Sequence, residues 1–227
     1  IKIINPTKED TILEIGPGHG ALTSKLLDLS KKLHTVEIDP MLYEMLKDKY
    51  NYLDIVNEDI LKWDDSKIKI DKVVGNIPYN ISSQIIFKFL PKQWETMVLM
   101  LQKEVAKRIT SSEGSKEYGR ISVMVQNFCD VTYMCDISKN VFHPKPKVDS
   151  GILLFKKKKT SVDIDKFSSF IKEAFKQRRK KLKNNLKKIC DFKLIEKYAD
   201  MRPEEISAKD YLILFNKIYF WTLINFY

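Results

Sequence analysis

The chain has 227 residues, is 44% hydrophobic and carries a formal net charge of +10; this length fits one large domain, or a domain of about 150 residues with an appendage. No apolar run approaches the roughly 20 residues of a membrane span, so neither a membrane protein nor a secreted one is expected. The three cysteines, Cys129, Cys135 and Cys190, and the scattered His19, His34 and His143 match no disulfide, zinc or triad spacing, which points to a reducing cytoplasm and to no metal.

The first half alternates short β-rich runs with helical patterns, as in a parallel sheet built from strand-helix-strand units. TILEIG (11–16) reads as a strand ending in Gly, and ALTSKLLDLSKK (21–32) as a helix with Leu22, Leu26, Leu27 and Leu29 on one face. LHTVEID (33–39) is the second strand, and PMLYEMLKDKY (40–50) opens a helix with Pro at its first position. LDIVNED (53–59), KVVGN (72–76) and ETMVLML (95–101) continue the sheet, and ISVMVQNFCDVTYM (121–134) and SGILLF (150–155) read as two late strands. After KKKK (156–159) the pattern turns helical. DKFSSFIKEAF (165–175) is amphipathic, and KQRRKKLKNNLKKI (176–189) sets Leu182, Leu186 and Ile189 in a basic field. The closing IYFWTLINFY (218–227) is too short to span a bilayer and reads as a helix packed on the small domain or on a partner. The expected division is therefore 1–158 and 159–227.

Charge follows the same division. Residues 1–150 hold 21 Lys+Arg against 21 Asp+Glu, and residues 151–227 hold 19 against 9. The second module is thus the part drawn to a polyanion. KKKK (156–159) reads as a solvated connector. Gln177, Arg178, Arg179, Lys180, Lys181 and Lys183 are expected to share a helix with an apolar stripe, leaving a cationic face for RNA phosphates.

EIGPGHGAL (14–22) follows a strand and opens a helix. Gly16, Gly18 and Gly20 let a ligand approach the backbone, and a helix N-terminus offers unpaired N–H groups. A dinucleotide site in the G-x-G-x-x-G pattern remains open, because Ala21 is the tolerated variant of its last glycine. Glu37 ends the second strand, where a carboxylate can accept both hydroxyls of a ribose, and Asp59 ends the third, where one can accept from an adenine amino group. Singly, each reads as a solvated loop acid. Together they form a row at the carboxyl ends of consecutive parallel strands, where open α/β sheets bind ligands.

The fourth strand ends in GNIPYNIS (75–82). Taken alone, Gly75 and Pro78 punctuate a turn and Tyr79 fills a gap. The same residues also suit an exocyclic amine on a flat base. The side-chain oxygen of Asn76 and a carbonyl within Ile77-Pro78 can accept its hydrogens and localise its lone pair, Pro78 stiffens the loop, and Tyr79 can stack on the ring.

EIGPG (14–18), VEID (36–39), NED (57–59), NIPYNIS (76–82), LQKEVAKRI (101–109), YGRISV (118–123) and VFHPKPKVDSG (141–151), in this order, resemble the ribosomal RNA adenine dimethyltransferases, from about Ile4 to about Tyr211. FKQRRKKLKNNL (175–186) is similar to that family's C-terminal basic helix. The resemblance implies a Rossmann-like α/β methyltransferase sheet with a small C-terminal α-helical domain. It implies S-adenosylmethionine as donor, with Gly16, Glu37, Asp59 and Asn76 among its contacts and Glu14 near the methionine portion. It further implies that Asn76, Tyr79 and Phe142 form the adenine site. The expected product is a pair of adjacent N6,N6-dimethyladenosines in small-subunit ribosomal RNA, made by a cytoplasmic, monomeric enzyme acting on assembling subunits. Family members carry a helix and an Asn/Leu pair ahead of the first strand. This sequence starts after them and lacks an initiating Met, so it is expected to begin inside a longer protein. Two relatives remain as alternatives: the large-subunit methyltransferase of the macrolide-resistance type, and a non-catalytic nucleic-acid-binding descendant. A dehydrogenase ranks behind them, since no hydride-transfer acid/base pair is visible.

Overall fold

The computed structural model describes residues 1–225, with side chains through Tyr219. In chain order the elements are β1 (Thr11–Ile15), α1 (Thr23–Leu26), β2 (Lys32–Glu37), α2 (Pro40–Lys49), β3 (Asp54–Asn57), β4 (Lys72–Asn76), α3 (Ser82–Phe89), β5 (Thr96–Gln102), α4 (Lys103–Thr110), α5 (Arg120–Phe128), β6 (Cys129–Ile137), β7 (Ser150–Lys157), α6 (Ile164–Ala174), α7 (Leu182–Leu186), α8 (Phe192–Ile195) and α9 (Ala208–Asn225). The seven strands form one sheet in the order β3-β2-β1-β4-β5-β7-β6. The first five run parallel, and β7 is antiparallel to β5. Strand order reverses between β1 and β4, and at such a switch point the carboxyl ends of the strands open a crevice.

The chain divides into two compact units, Ile1–Ala106 with Val131–Lys157, and Lys107–Asp130 with Lys158–Tyr227. In the first, Ile12, Leu33, Val74 and Val98 of the strands and Leu26 and Leu46 of the helices form a buried cluster. Strands covered on both faces read as near-continuous apolar runs, as VV and MVLML do. In the second, Phe167 packs edge-on to Phe128 at 5.6 Å and to Phe215 at 5.2 Å between ring centres.

The second unit departs from the expected division by taking residues 107–130 as well as those after Lys157. The cause is α5. Residues 121–128, expected as strand, are helical together with Arg120, and Ile121, Ser122, Val123, Met124, Val125 and Phe128 are all buried. Ser122 Oγ accepts from the Gly119 N–H at 3.1 Å and so caps the helix start. Of the expected run only 129–134 is strand, in a β6 that continues to Ile137.

Two helices are shorter than expected. Of 21–32 only Thr23–Leu26 is helical, and Leu29 is exposed. Within 176–189 the helix is Leu182–Leu186, and residues 176–180 are turns. Here Asn185 Nδ2 donates to the carbonyls of Ala174 (2.7 Å) and Gln177 (3.2 Å), satisfying groups that a continuing helix would have used. The segment 218–227 is helical through Asn225, and its last two residues lie outside those described. No helix among the described residues is long and apolar enough to cross a membrane.

Candidate active site

The crevice begins where β1 ends. Gly16 and Gly18 have φ of +63° and +59°, the left-handed region that side chains avoid, and the Gly16 N–H donates to the Val36 carbonyl at 2.9 Å. Gly20, left-handed as well at φ +80°, also serves packing. A Cβ there would lie 2.7 Å from Leu46 Cδ2 on α2.

Two acids are buried beside this loop. Glu14 is 2% exposed, its Oε2 accepts from Thr23 Oγ1 at 2.8 Å, and burial raises its carboxyl to about 7. Glu37 is 5% exposed, with Oε2 accepting from the Gly18 N–H at 3.1 Å and Oε1 from the Asp39 N–H at 2.9 Å. Each carboxylate oxygen can accept more than one bond, so Glu37 keeps acceptor capacity for a ligand while tying the loop down. Asp59 lies two residues beyond the end of β3 and is partly exposed; its Oδ1 accepts from the Leu61 N–H at 2.9 Å.

Asn76 ends β4 and is exposed. Gly75 lies within the strand expected over 72–76 as its penultimate residue, not in the turn that the motif read alone suggests, and a Cβ there would meet the Ile15 carbonyl at 2.8 Å. The small residue permits the close approach of β4 to β1. After the strand, the Pro78 carbonyl accepts from the Ile81 N–H at 3.2 Å and from Ser82 Oγ at 3.3 Å. Pro78 is thereby engaged in the turn, whereas among the described residues no hydrogen bond falls on the Ile77 carbonyl. Tyr79 is partly buried, with its hydroxyl 2.8 Å from Ser150 Oγ.

A cavity of about 550 Å³ unites much of this. Glu14, Gly16, Gly18, Asn76 and Phe142 line it, with His19, Met100 and Ile152 adding wall that the sequence did not single out. Gly20, Glu37, Asp59, Pro78 and Tyr79 are outside its lining. Thr23 and Ser150, each buried behind a candidate residue, were also missed. A lone Ser or Thr carries no pattern of its own, so only the fold reveals them.

The family model for ribosomal RNA adenine dimethylase matches residues 1–218. The chain belongs to that family. It is 43% identical over 231 residues to ribosomal RNA small subunit methyltransferase A of Coxiella burnetii, covering 95% of this chain and 90% of that one. A relative of the same name from Chlorobium phaeobacteroides is 38% identical, covering 93% and 84%. Among solved structures, a dimethyladenosine transferase from Plasmodium falciparum has a TM-score of 0.86 at 30% identity, covering 96% and 94%. The 23S rRNA methyltransferase ErmE, at 0.73 and 23%, covering 96% and 94%, shares the fold.

The family's cationic C-terminal segment is less uniform than its sequence suggests. Gln177, Arg178, Arg179 and Lys180 lie in turns rather than on a helix, and all four are exposed. Arg178 reaches back within the second unit, its Nη2 donating to the Tyr118 carbonyl at 2.8 Å and its Nε 3.9 Å from Glu204. Lys183 and Lys181 both sit 2.8 Å from Asp200, and these partners hold that carboxyl down at about 2.

Proposed function

We propose that the chain transfers methyl groups from S-adenosylmethionine to N6 of two adjacent adenosines in small-subunit ribosomal RNA, giving N6,N6-dimethyladenosine during small-subunit assembly. One observation carries this reading. Asn76 and Phe142 share a single cavity with Gly16, Gly18 and the buried Glu14, so an amine-gripping amide and an aromatic face border a nucleotide-type loop.

The residues suit the donor. Glu14 offers a buried carboxylate beside the glycine loop, Glu37 offers acceptors for ribose hydroxyls, and Asp59 offers an acceptor for the adenine amine. When bound, S-adenosylmethionine supplies an electrophilic methyl group on sulfur, leaving S-adenosylhomocysteine. The protein's task is to aim a poor nucleophile. The N6 lone pair of adenine is delocalised into the ring; the Asn76 side-chain oxygen and the unclaimed Ile77 carbonyl accept its two hydrogens, concentrating the lone pair and stabilising positive charge as it forms. Pro78 acts by shaping the turn. Tyr79 and Phe142 offer ring faces to an extruded base. No strong base is needed, since the product ammonium loses its proton to water, and positioning supplies most of the rate.

Residues 1–158 supply this chemistry and the basic residues after 158 supply RNA affinity, through phosphate contacts by Gln177, Arg179 and Lys180, while Arg178 and Lys183 serve the RNA surface by holding its fold through their internal partners. The enzyme works as a cytoplasmic monomer on the assembling subunit. The decisive experiment incubates the protein with labelled donor and unmethylated small-subunit particles and maps the modified nucleotides. Two adjacent dimethyladenosines are expected. Modification confined to large-subunit RNA would favour the macrolide-resistance type, and binding of RNA with no donor binding would favour a non-catalytic relative.

A further inference from the structure

Tyr79 and Phe142 lie far apart in sequence, yet each is fixed by one of two consecutive residues at the start of β7. Ser150 is fully buried, with Oγ 2.8 Å from the Tyr79 hydroxyl. Asp149 Oδ1 accepts from the Lys139 N–H at 3.0 Å. Lys139 opens the one-turn 3-10 helix Lys139–Val141 whose C-cap is Phe142. A bond to Ser150 therefore sets one aromatic ring, and a bond to Asp149 sets the turn that delivers the other.

The dipeptide itself has little freedom. The Asp149 carbonyl accepts from the Lys103 N–H at 3.0 Å, and Ser150 pairs with Gln102 of β5. At Gly151 an added Cβ would fall 2.6 Å from the Tyr133 hydroxyl, so the strand lies directly under that ring. Tyr133 in turn donates to Asp136, whose carboxylate is 2.6 Å from Lys103 Nζ. A dipeptide paired to β5, and followed at once by a glycine packed under the Tyr133 ring, is a fixed reference point.

We infer that Asp149 and Ser150 are positioning residues that set the spacing between the Tyr79 and Phe142 rings, and hence the gap into which the target adenine fits. The inference rests on the reading of those rings as the base-holding pair. Anchoring Tyr79 by its hydroxyl leaves its ring face free, and a hydrogen bond at the far edge fixes tilt at no cost in stacking area. Small losses of alignment are expensive in rate, since a displacement of about 1 Å can cost on the order of 100-fold.

The test uses the full chain, S-adenosylmethionine and unmethylated small-subunit ribosomal RNA. Ser150→Ala, Tyr79→Phe and the double variant are compared, as are Asp149→Ala, Phe142→Ala and their double. Each hydroxyl or carboxylate deletion is expected to lower kcat roughly 10- to 100-fold, while donor Kd, RNA Kd and melting temperature stay near wild type. Ser150→Ala combined with Tyr79→Phe is expected to be no worse than either alone, because both remove one bond. Wild-type kcat in Ser150→Ala beside an inactive Tyr79→Ala overturns the inference while sparing the base-holding pair. Full turnover by Tyr79→Ala overturns both. Multiplying defects overturn it too: Ser150 and Tyr79 share one bond, and Asp149→Ala has no ring left to misplace once Phe142→Ala has removed it.

Discussion

At the carboxyl rim of the sheet, polar groups are few and several are individually tied: the buried Glu14 to a threonine hydroxyl, the buried Glu37 to a glycine N–H, the half-buried Tyr79 to a serine. Across 176–183 charge is abundant and exposed, and its partners differ from residue to residue. Arg178 grips a backbone carbonyl, while Lys181 and Lys183 share one aspartate. A site built from single contacts works by short-range geometry, so one atom out of place is felt. A basic surface works by summed field, so its members are partly interchangeable and some are diverted to holding their own fold.

The difference is sharpest in the consequences of substitution. Asn76→Ala is expected to lower methyl transfer by about 10²–10³-fold, the usual cost of removing one preorganised polar group, while RNA binding by filter assay stays nearly intact; normal turnover would break the contrast at its strongest point. Gly20→Ala meets Leu46 at 2.7 Å with φ at +80°. It is expected to cost about 1–3 kcal/mol of stability by denaturant unfolding, and an unchanged midpoint would show that α2 yields. Arg178→Ala is expected to cost about 1.5 kcal/mol, from loss of a charged hydrogen bond, with the salt slope of RNA binding retained. Arg179→Ala with Lys180→Ala is expected to do the reverse, lowering that slope by about 2, or about 1 per phosphate contact, at unchanged stability. Equal behaviour of the two variants would erase the distinction between structural and field-acting cations.

Stability also depends on pH. The Glu14 carboxyl sits at about 7 in the folded chain against an ordinary 4.5. The folded state therefore binds the proton more tightly, and this contribution to stability is full below 4.5 and is lost as pH rises to about 7. Glu14→Gln, neutral throughout, is expected to flatten that decline in a series of thermal unfolding curves.

The same contrast explains what could be read from residues alone. The glycine loop, the acids at the end of β2 and just beyond β3, and Asn76 at the end of β4 were legible because each signal is bound to backbone stereochemistry: a positive φ, a strand end, a strand too close for a Cβ. The 120–128 helix was not. Its buried positions include 121 through 125 without a break, so no 3.6-residue period is left to distinguish it from a doubly covered strand. Nor was the bend at 176–180, since it depends on Asn185 reaching back to Ala174. Composition placed the positive charge correctly in the last third, but it carried no information on which cations Glu204 and Asp200 would claim.

The split makeup of the second unit bears on synthesis. Asn127 Nδ2 donates to the Ala208 carbonyl across a separation of 81 residues. At about 5–20 residues per second on the ribosome, α5 emerges roughly 4–16 s before that partner exists. For that interval the face of α5 that meets α9 has no partner from its own chain, and this is the window in which chaperone engagement and misassembly compete.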